Sequence, residues 1–308
     1  MRIFNNFIIS KTYKKSSLAI GNFDGVHRGH QKVFKYAKKN KLKFGILTFS
    51  PLPVMFFNKK IKNYRLVSEA EKFNLLKKFN ADFVVNIKFN RNFSKITAKN
   101  FIKNIIYKKI NPKRIFVSNN FKFGSKRKGN VNLLKRFEKN YNYKLFKISP
   151  DKHKQKIISS TKIRKLLQKG NIYLANKLLS RTWFIDGRVV RGKKLGRRLG
   201  YRTCNIRIKN YVLPRVGIYA VRISMENKKK LYSGVAYVGS RPTFEGKEVF
   251  LEIFIFGINK NLYKKKLRVY FIKFIRPDKK FKSSSQLIEQ MNKDVILAKK
   301  GLKGKLVI

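Results

Sequence analysis

Ten consecutive residues, Gly21-Asn22-Phe23-Asp24-Gly25-Val26-His27-Arg28-Gly29-His30, leave few choices for the fold around them. They follow the apolar run Leu18-Ala19-Ile20 and precede a helical spacing of Val33, Phe34 and Ala37, so the stretch reads as strand, glycine-bearing turn, helix. Glycines let the backbone turn sharply and approach a ligand, and the N–H groups that open the helix form an anion site. His27 and His30 are two of the chain's 3 histidines. With an unperturbed pKa of about 6.5, imidazoles donate hydrogen bonds to phosphate oxygens and carry charge beside a polyphosphate. By residue type and by place, this turn handles phosphate.

The segments that follow keep the same rhythm. Phe44 to Phe49 is a short apolar strand ended by Ser50-Pro51-Leu52-Pro53. Ser68 and Glu71 form a capping box ahead of a helix carrying Phe73, Leu75 and Leu76, and a strand spans Ala81 to Phe89. A helix over 97–109 places Phe101, Ile102, Ile105 and Ile106 on one stripe and breaks at Asn111-Pro112. Ile115 to Ser118 is the next strand, a loop runs over 121–129, residues 131–141 are helical and 143–148 extended. Strands alternating with helices predict a parallel α/β sheet, whose ligands bind at the carboxyl ends of the strands. Beyond it, Ser159, Ser160 and Thr161 can cap a helix with Arg164 one turn in, which by itself reads as an ordinary N-cap with a solvated arginine and in this company as a second anion cradle.

The pattern changes near Arg181. Residues 184–190, 218–224, 232–238, 250–256 and 267–274 are short and extended with turn signals between them, the spacing of a small antiparallel barrel or sandwich, and a helix over 285–299 closes the chain. A length of 308 residues accommodates two domains, 1–182 and 183–308.

Charge is the anomaly in the composition: 76 Lys and Arg against 14 Asp and Glu give +62. Such an excess usually points to a polyanionic partner. Here the lysines are spread along the whole chain among Asn, Ile, Phe and Tyr, all favoured by A/T-rich codons, so no specific nucleic-acid partner is expected. A single cysteine, Cys204, rules out an intramolecular disulfide and a cysteine-rich metal site. No apolar run approaches the ~18 residues of a membrane span and Met1 to Ser10 lacks a small-residue cleavage site, so a cytoplasmic protein without membrane contact is expected.

Four stretches in register carry a resemblance: Gly21 to His30; Ile158-Ser159-Ser160-Thr161 with Arg164; Gly200-Tyr201-Arg202-Thr203-Cys204-Asn205; and Gly239-Ser240-Arg241-Pro242-Thr243-Phe244. Together they resemble the bacterial bifunctional riboflavin kinase / FAD synthetase family. The resemblance implies an N-terminal Rossmann-like nucleotidyltransferase domain that transfers AMP from ATP to FMN. It also implies a C-terminal six-stranded flavokinase barrel that phosphorylates riboflavin, with Mg²⁺, and ATP, riboflavin and FMN as substrates. It places Gly21, Asn22, Phe23, Asp24, Gly25, Ser159, Ser160, Thr161, Gly192 and Gly196 at ATP or its phosphates, and Asn120, Phe121 and Arg276 at flavin. His27, His30, Arg164 and Glu252 would be catalytic, and Thr203 and Asn205 would hold the metal. The family usually carries proline at Arg202, alanine at Cys204, asparagine at Tyr237 and histidine at Leu52. Alternation alone also leaves room for Glu252 as an outward-facing glutamate on a half-buried strand. Two alternatives stay open: an adenylyltransferase with an impaired barrel, and a basic nucleic-acid-binding protein on a nucleotidyltransferase scaffold.

Overall fold

A computed structural model describes residues 1–192, 200–225, 230–243 and 246–303. The chain divides into two compact units, one of residues 1–62 and 69–159, the other of residues 63–68 and 160–308.

The first unit is a six-stranded sheet with helices, its named strands all parallel. Strands β1 (Arg2–Phe4), β2 (Ser17–Ile20), β3 (Phe44–Ser50), β4 (Phe83–Lys88), β5 (Arg114–Ser118) and β8 (Lys144–Ile148) stand in the order β1-β4-β3-β2-β5-β8. Two short strands, β6 (Lys122–Phe123) and β7 (Gly129–Asn130), pair in the loop after β5, and β9 (Lys152–His153) pairs with β10 (Lys156–Ile157). The central strands read as apolar runs because helices cover both faces; every residue of β2 is buried. Helix α1 (Arg28–Ala37) follows β2, α2 (Pro53–Phe57) follows β3, and α3 (Glu69–Lys78) precedes β4. Then come α4 (Arg91–Ser94) and α5 (Ala98–Asn100), the latter continued by a π-helix over Phe101–Ile110, which ends at left-handed Asn111 before Pro112. The stripe of Phe101, Ile102, Ile105 and Ile106 faces the core of this unit, as its spacing predicts. Helix α6 (Val131–Arg136) is five residues shorter than the predicted 131–141, because Phe137 leaves helical geometry and the Glu138 carboxylate turns back to accept from Leu145 N.

The strand order reverses between β2 and β5, which run parallel: β3 and β4 lie on one side of β2, β5 and β8 on the other. That crevice, at the carboxyl ends of β2 and β5, is where open α/β sheets bind ligands.

The second unit begins with α7 (Ser160–Gln168) and α8 (Ile172–Leu179) and contains a closed antiparallel barrel. Its strands are β11 (Phe184–Val190), β12 (Thr203–Arg207), β13 (Gly217–Met225), β14 (Leu231–Thr243), β15 (Gly246–Ile255) and β16 (Lys266–Arg276), in the order β11-β12-β15-β14-β13-β16. Helix α9 (Ser284–Gly301) packs Ala298 on Ala220 of the barrel's outside, with Val235, Phe256, Ile272 and Ile275 around them. The short 63–68 segment belongs here as well: Trp183, 1% exposed, donates its indole N–H to Leu66 O at 2.8 Å.

Candidate functional sites

In the first unit the Gly21–His30 turn lies at the switch point. Gly21 N donates to Leu47 O at 3.1 Å, anchoring the end of β2 to β3, and the chain then enters a tight turn in which Phe23, Gly25 and Val26 all have positive φ (48°, 81° and 41°). Left-handed backbone at two side-chain-bearing residues is strained and is held only by firm surroundings. Here Phe23 and Val26 are 3% and 0% exposed, and the Phe23 ring packs against Phe34 at 4.9 Å and edge-on to His30 at 5.2 Å.

His27 sits at the N-cap of α1 with its carbonyl accepting from His30 N and Gln31 N. The imidazoles of His27 and His30 stack with centroids 3.6 Å apart, His27 buried and His30 half-buried. Glycine fits closely at position 29, where a Cβ would stand 3.2 Å from the His27 ring and 3.4 Å from Ile158 O. The strand pair β9-β10 is tied down beside it, Arg28 Nε meeting Asp151 Oδ2 at 3.1 Å and Ile158 N donating to Asp151 O. Ser159 ends this unit.

Asn120 and Phe121 follow β5 at the same switch point. Ser118 Oγ donates to Asn120 Oδ1 at 2.9 Å, and Phe121 stacks on Phe123. Phe123 opens a chain of aromatic contacts through Phe101, Phe93 and Phe89 to Phe56 and Phe57 on α2. Phe57, at the exposed end of this chain of rings, is 68% exposed.

In the second unit Ser160 and Thr161 open α7, and Arg164 is 7% exposed. Its Nε donates to Tyr64 O at 2.8 Å and its guanidinium stacks 3.6 Å from the Tyr64 ring centroid, so much of it is already engaged with its own unit.

The barrel resolves the ambiguity at Glu252. Leu251, Ile253 and Ile255 are 0–2% exposed and fill the barrel, so Glu252, between them on β15, projects from the outer face. Asn205 on β12 and Tyr237 on β14 are its two cross-strand partners. Thr203, two residues before Asn205 and on the same face, donates its hydroxyl to Glu252 Oε1 at 2.7 Å. Thr203, Asn205 and Glu252 therefore form a single patch of hard oxygen donors on the outer face. Gly192 closes over it: a Cβ there would stand 2.3 Å from Asn205 Nδ2. Gly196 lies outside the described residues. Cys204 points the other way, paired with Ile253 inside the barrel, and burial pushes its thiol up to about 12, which keeps it inert.

Groups around the patch tie its borders together. Tyr201 packs on Phe254 at 5.0 Å and its hydroxyl bonds Asn292 of α9; burial, then the Asp294 charge, push the phenol up. Arg202 Nη1 donates to both Asn259 O and Asn259 Oδ1, fastening the loop after β15, and Tyr237 donates to Asp278 Oδ2 at 3.0 Å.

Arg276 is held in a bidentate pair with Asp294, at 2.8 and 2.7 Å, and donates to Pro277 O. The Asp294 carboxylate is 3% exposed, so this pair docks α9 on the barrel. Arg276→Met leaves that carboxylate buried without its cation, at a cost of about 3–5 kcal/mol. The expected result is a fall of roughly 10 °C in the thermal unfolding midpoint of this unit, followed by calorimetry.

The families that match the Rossmann-like unit and the closed barrel put the chain in the class of two-domain ATP-dependent transferases. The FAD synthetase family matches residues 9–162 and the riboflavin kinase family residues 179–302. The chain belongs to the bifunctional riboflavin kinase/FMN adenylyltransferase family. A member from Buchnera aphidicola subsp. Schizaphis graminum is 42% identical over 95% of this chain and 96% of its own. One from Escherichia coli K12 is 34% identical over 92% of this chain and 91% of its own. A solved structure titled macrolide-efflux protein, from Streptococcus pneumoniae, shares the fold with a TM-score of 0.83 and 28% identity, covering 96% of this chain and 98% of that one. Among the described residues here, no helix is long and apolar enough to cross a membrane.

Proposed function

We propose that the chain converts riboflavin to FMN in its barrel and FMN to FAD in its first unit, using one ATP for each step. The observation that supports this reading is that the Gly21–His30 turn lies at the switch point of the first unit's sheet, while the second unit carries Thr203, Asn205 and Glu252 on one face of a closed barrel.

In the barrel the nucleophile is a neutral riboflavin hydroxyl, which needs its proton removed as its oxygen attacks the γ-phosphorus and ADP leaves. Glu252 accepts that proton. Thr203 already donates to it and fixes the carboxylate's orientation. Thr203 and Asn205 would hold Mg²⁺, which takes a few hard protein oxygens and otherwise substrate phosphates and water. When bound, the ion neutralises charge on the phosphates. Gly192, and Gly196 by its place in the motif, cover the nucleotide.

For the first unit the FMN phosphate is already an anionic nucleophile. It attacks the α-phosphorus of ATP and pyrophosphate leaves, so the protein has to align reactants and stabilise charge, with no base required. His27, His30, the Gly21–Gly25 backbone and Ser159 are assigned to the phosphates; Ser160, Thr161 and Arg164 receive the same role from their place in the motif alone. Asn120 and Phe121, with Phe57, receive the flavin ring. Arg276 keeps a flavin role only through the helix that it docks.

The intact Thr203–Asn205–Glu252 patch argues against a silent barrel. The dispersed lysines argue against a dedicated nucleic-acid partner, and the one buried thiol fits a cytoplasmic protein. Incubation of the purified chain with riboflavin or with FMN, each with Mg-ATP, followed by chromatographic separation of the flavins, tests the reading. FMN and then FAD are expected from riboflavin; FAD from FMN with no FMN from riboflavin would reduce it to the adenylyltransferase half.

A further inference from the structure

Beneath the phosphate turn, β3, β4 and α3 enclose a polar network that neither reaction above uses. Lys72 on α3 is 3% exposed, a rare place for an ammonium. Its Nζ donates to Thr48 Oγ1 at 3.2 Å, and Thr48 gives its one hydroxyl proton to Asn22 O, inside the turn, at 3.1 Å. An ammonium only donates and a carbonyl only accepts, so the direction of the chain is fixed from Lys72 through Thr48 to Asn22. Alongside it, Glu69 accepts from Ser50 Oγ at 2.6 Å and from Asn86 Nδ2 at 2.9 Å, and Asn86 is the register partner of Thr48 across β3 and β4.

A methionine at position 72 would fill similar space without the desolvation cost of a buried charge, so packing alone does not account for the lysine. The turn it reaches is the strained one, with Phe23 and Val26 at positive φ. Such backbone persists only where its surroundings over-determine it, and the donor chain ending on Asn22 O is one of those determinants.

We propose that Lys72 is a positioning residue for adenylyl transfer. Acting through Thr48, it fixes the Asn22 carbonyl and so holds the Gly21–Gly25 backbone in the shape that receives the triphosphate. The inference rests on the assignment of this turn to ATP.

Initial rates of FAD formation and of riboflavin phosphorylation, measured on the same preparations, test it. For Lys72→Met, kcat for FAD formation is expected to fall about tenfold, since small displacements in a reacting geometry are expensive, with riboflavin phosphorylation within twofold of wild type. Thr48→Val, which ends the donor chain, should reproduce the loss, and Thr48→Ser, which keeps the hydroxyl, should restore at least half the wild-type rate. Where Lys72→Met does not fold, the two Thr48 variants decide. A loss below threefold in both Lys72→Met and Thr48→Val, or equal losses in Thr48→Val and Thr48→Ser, would overturn the proposal. A wild-type chain that forms no FAD would instead strike the assignment on which it rests.

Discussion

Glu252→Gln is expected to lower FMN formation from riboflavin by about 10³-fold while FAD formation from supplied FMN continues at the wild-type rate. The substitution keeps the shape of the side chain and a carbonyl oxygen for the Thr203 hydroxyl, which donates to Glu252 at 2.7 Å. What it removes is the capacity to take a proton. General-base catalysis contributes typically 10²–10⁴-fold, and the expected loss corresponds to ~4 kcal/mol of transition-state stabilisation. Because Glu252 projects from the outer face of the barrel, its replacement leaves the packed Leu251, Ile253 and Ile255 layer alone. Stopped or quenched time courses of FMN appearance read the effect, and an FMN yield within tenfold of wild type would remove Glu252 from the role of base.

His30→Ala is the complementary change, expected to lower FAD formation by about 10²–10³-fold with riboflavin phosphorylation unaffected. The loss is that of a donor aimed at charge on a transferring phosphate. His30 is a cleaner target than His27, whose ring is 4% exposed and packed under Gly29, so that its removal would open a cavity at the start of α1. His30 is more accessible and loses a stacking partner, not a core position. Pyrophosphate release from FMN and ATP measures the effect directly.

Much of this architecture is legible in the sequence because it is local. The strand–turn–helix at Gly21 to His30, the parallel α/β rhythm and the change to short extended segments near Arg181 all follow from spacing of apolar residues and turn chemistry. Thr203–Arg207 is different. It is too short, and too polar at Thr203 and Asn205, to announce itself as a strand, and only the family resemblance called for a sixth one. Side-chain direction also needs register: Glu252 became interpretable once β12 and β14 flanked β15 and put Thr203, Asn205 and Tyr237 on its face. Arg276 shows the opposite case, since its partner Asp294 lies 18 residues on and helix docking leaves no mark in a local pattern. Lys72 and Thr48 are 24 residues apart, on elements that meet only when the sheet forms, and nothing distinguished that lysine among 76 cationic residues. The exposed Phe57 was equally invisible, because exposure is a property of the folded chain.

On the proposed function, one chain carries two chemically distinct sites, each dispensable to the other's reaction. Separation of the flavins formed by wild type, Glu252→Gln and His30→Ala, each supplied with riboflavin or FMN and Mg-ATP, tests it most directly. Wild type is expected to carry riboflavin through to FAD, Glu252→Gln to make FAD only when given FMN, and His30→Ala to stop at FMN. A folded variant of either kind that loses both activities together would contradict the claim.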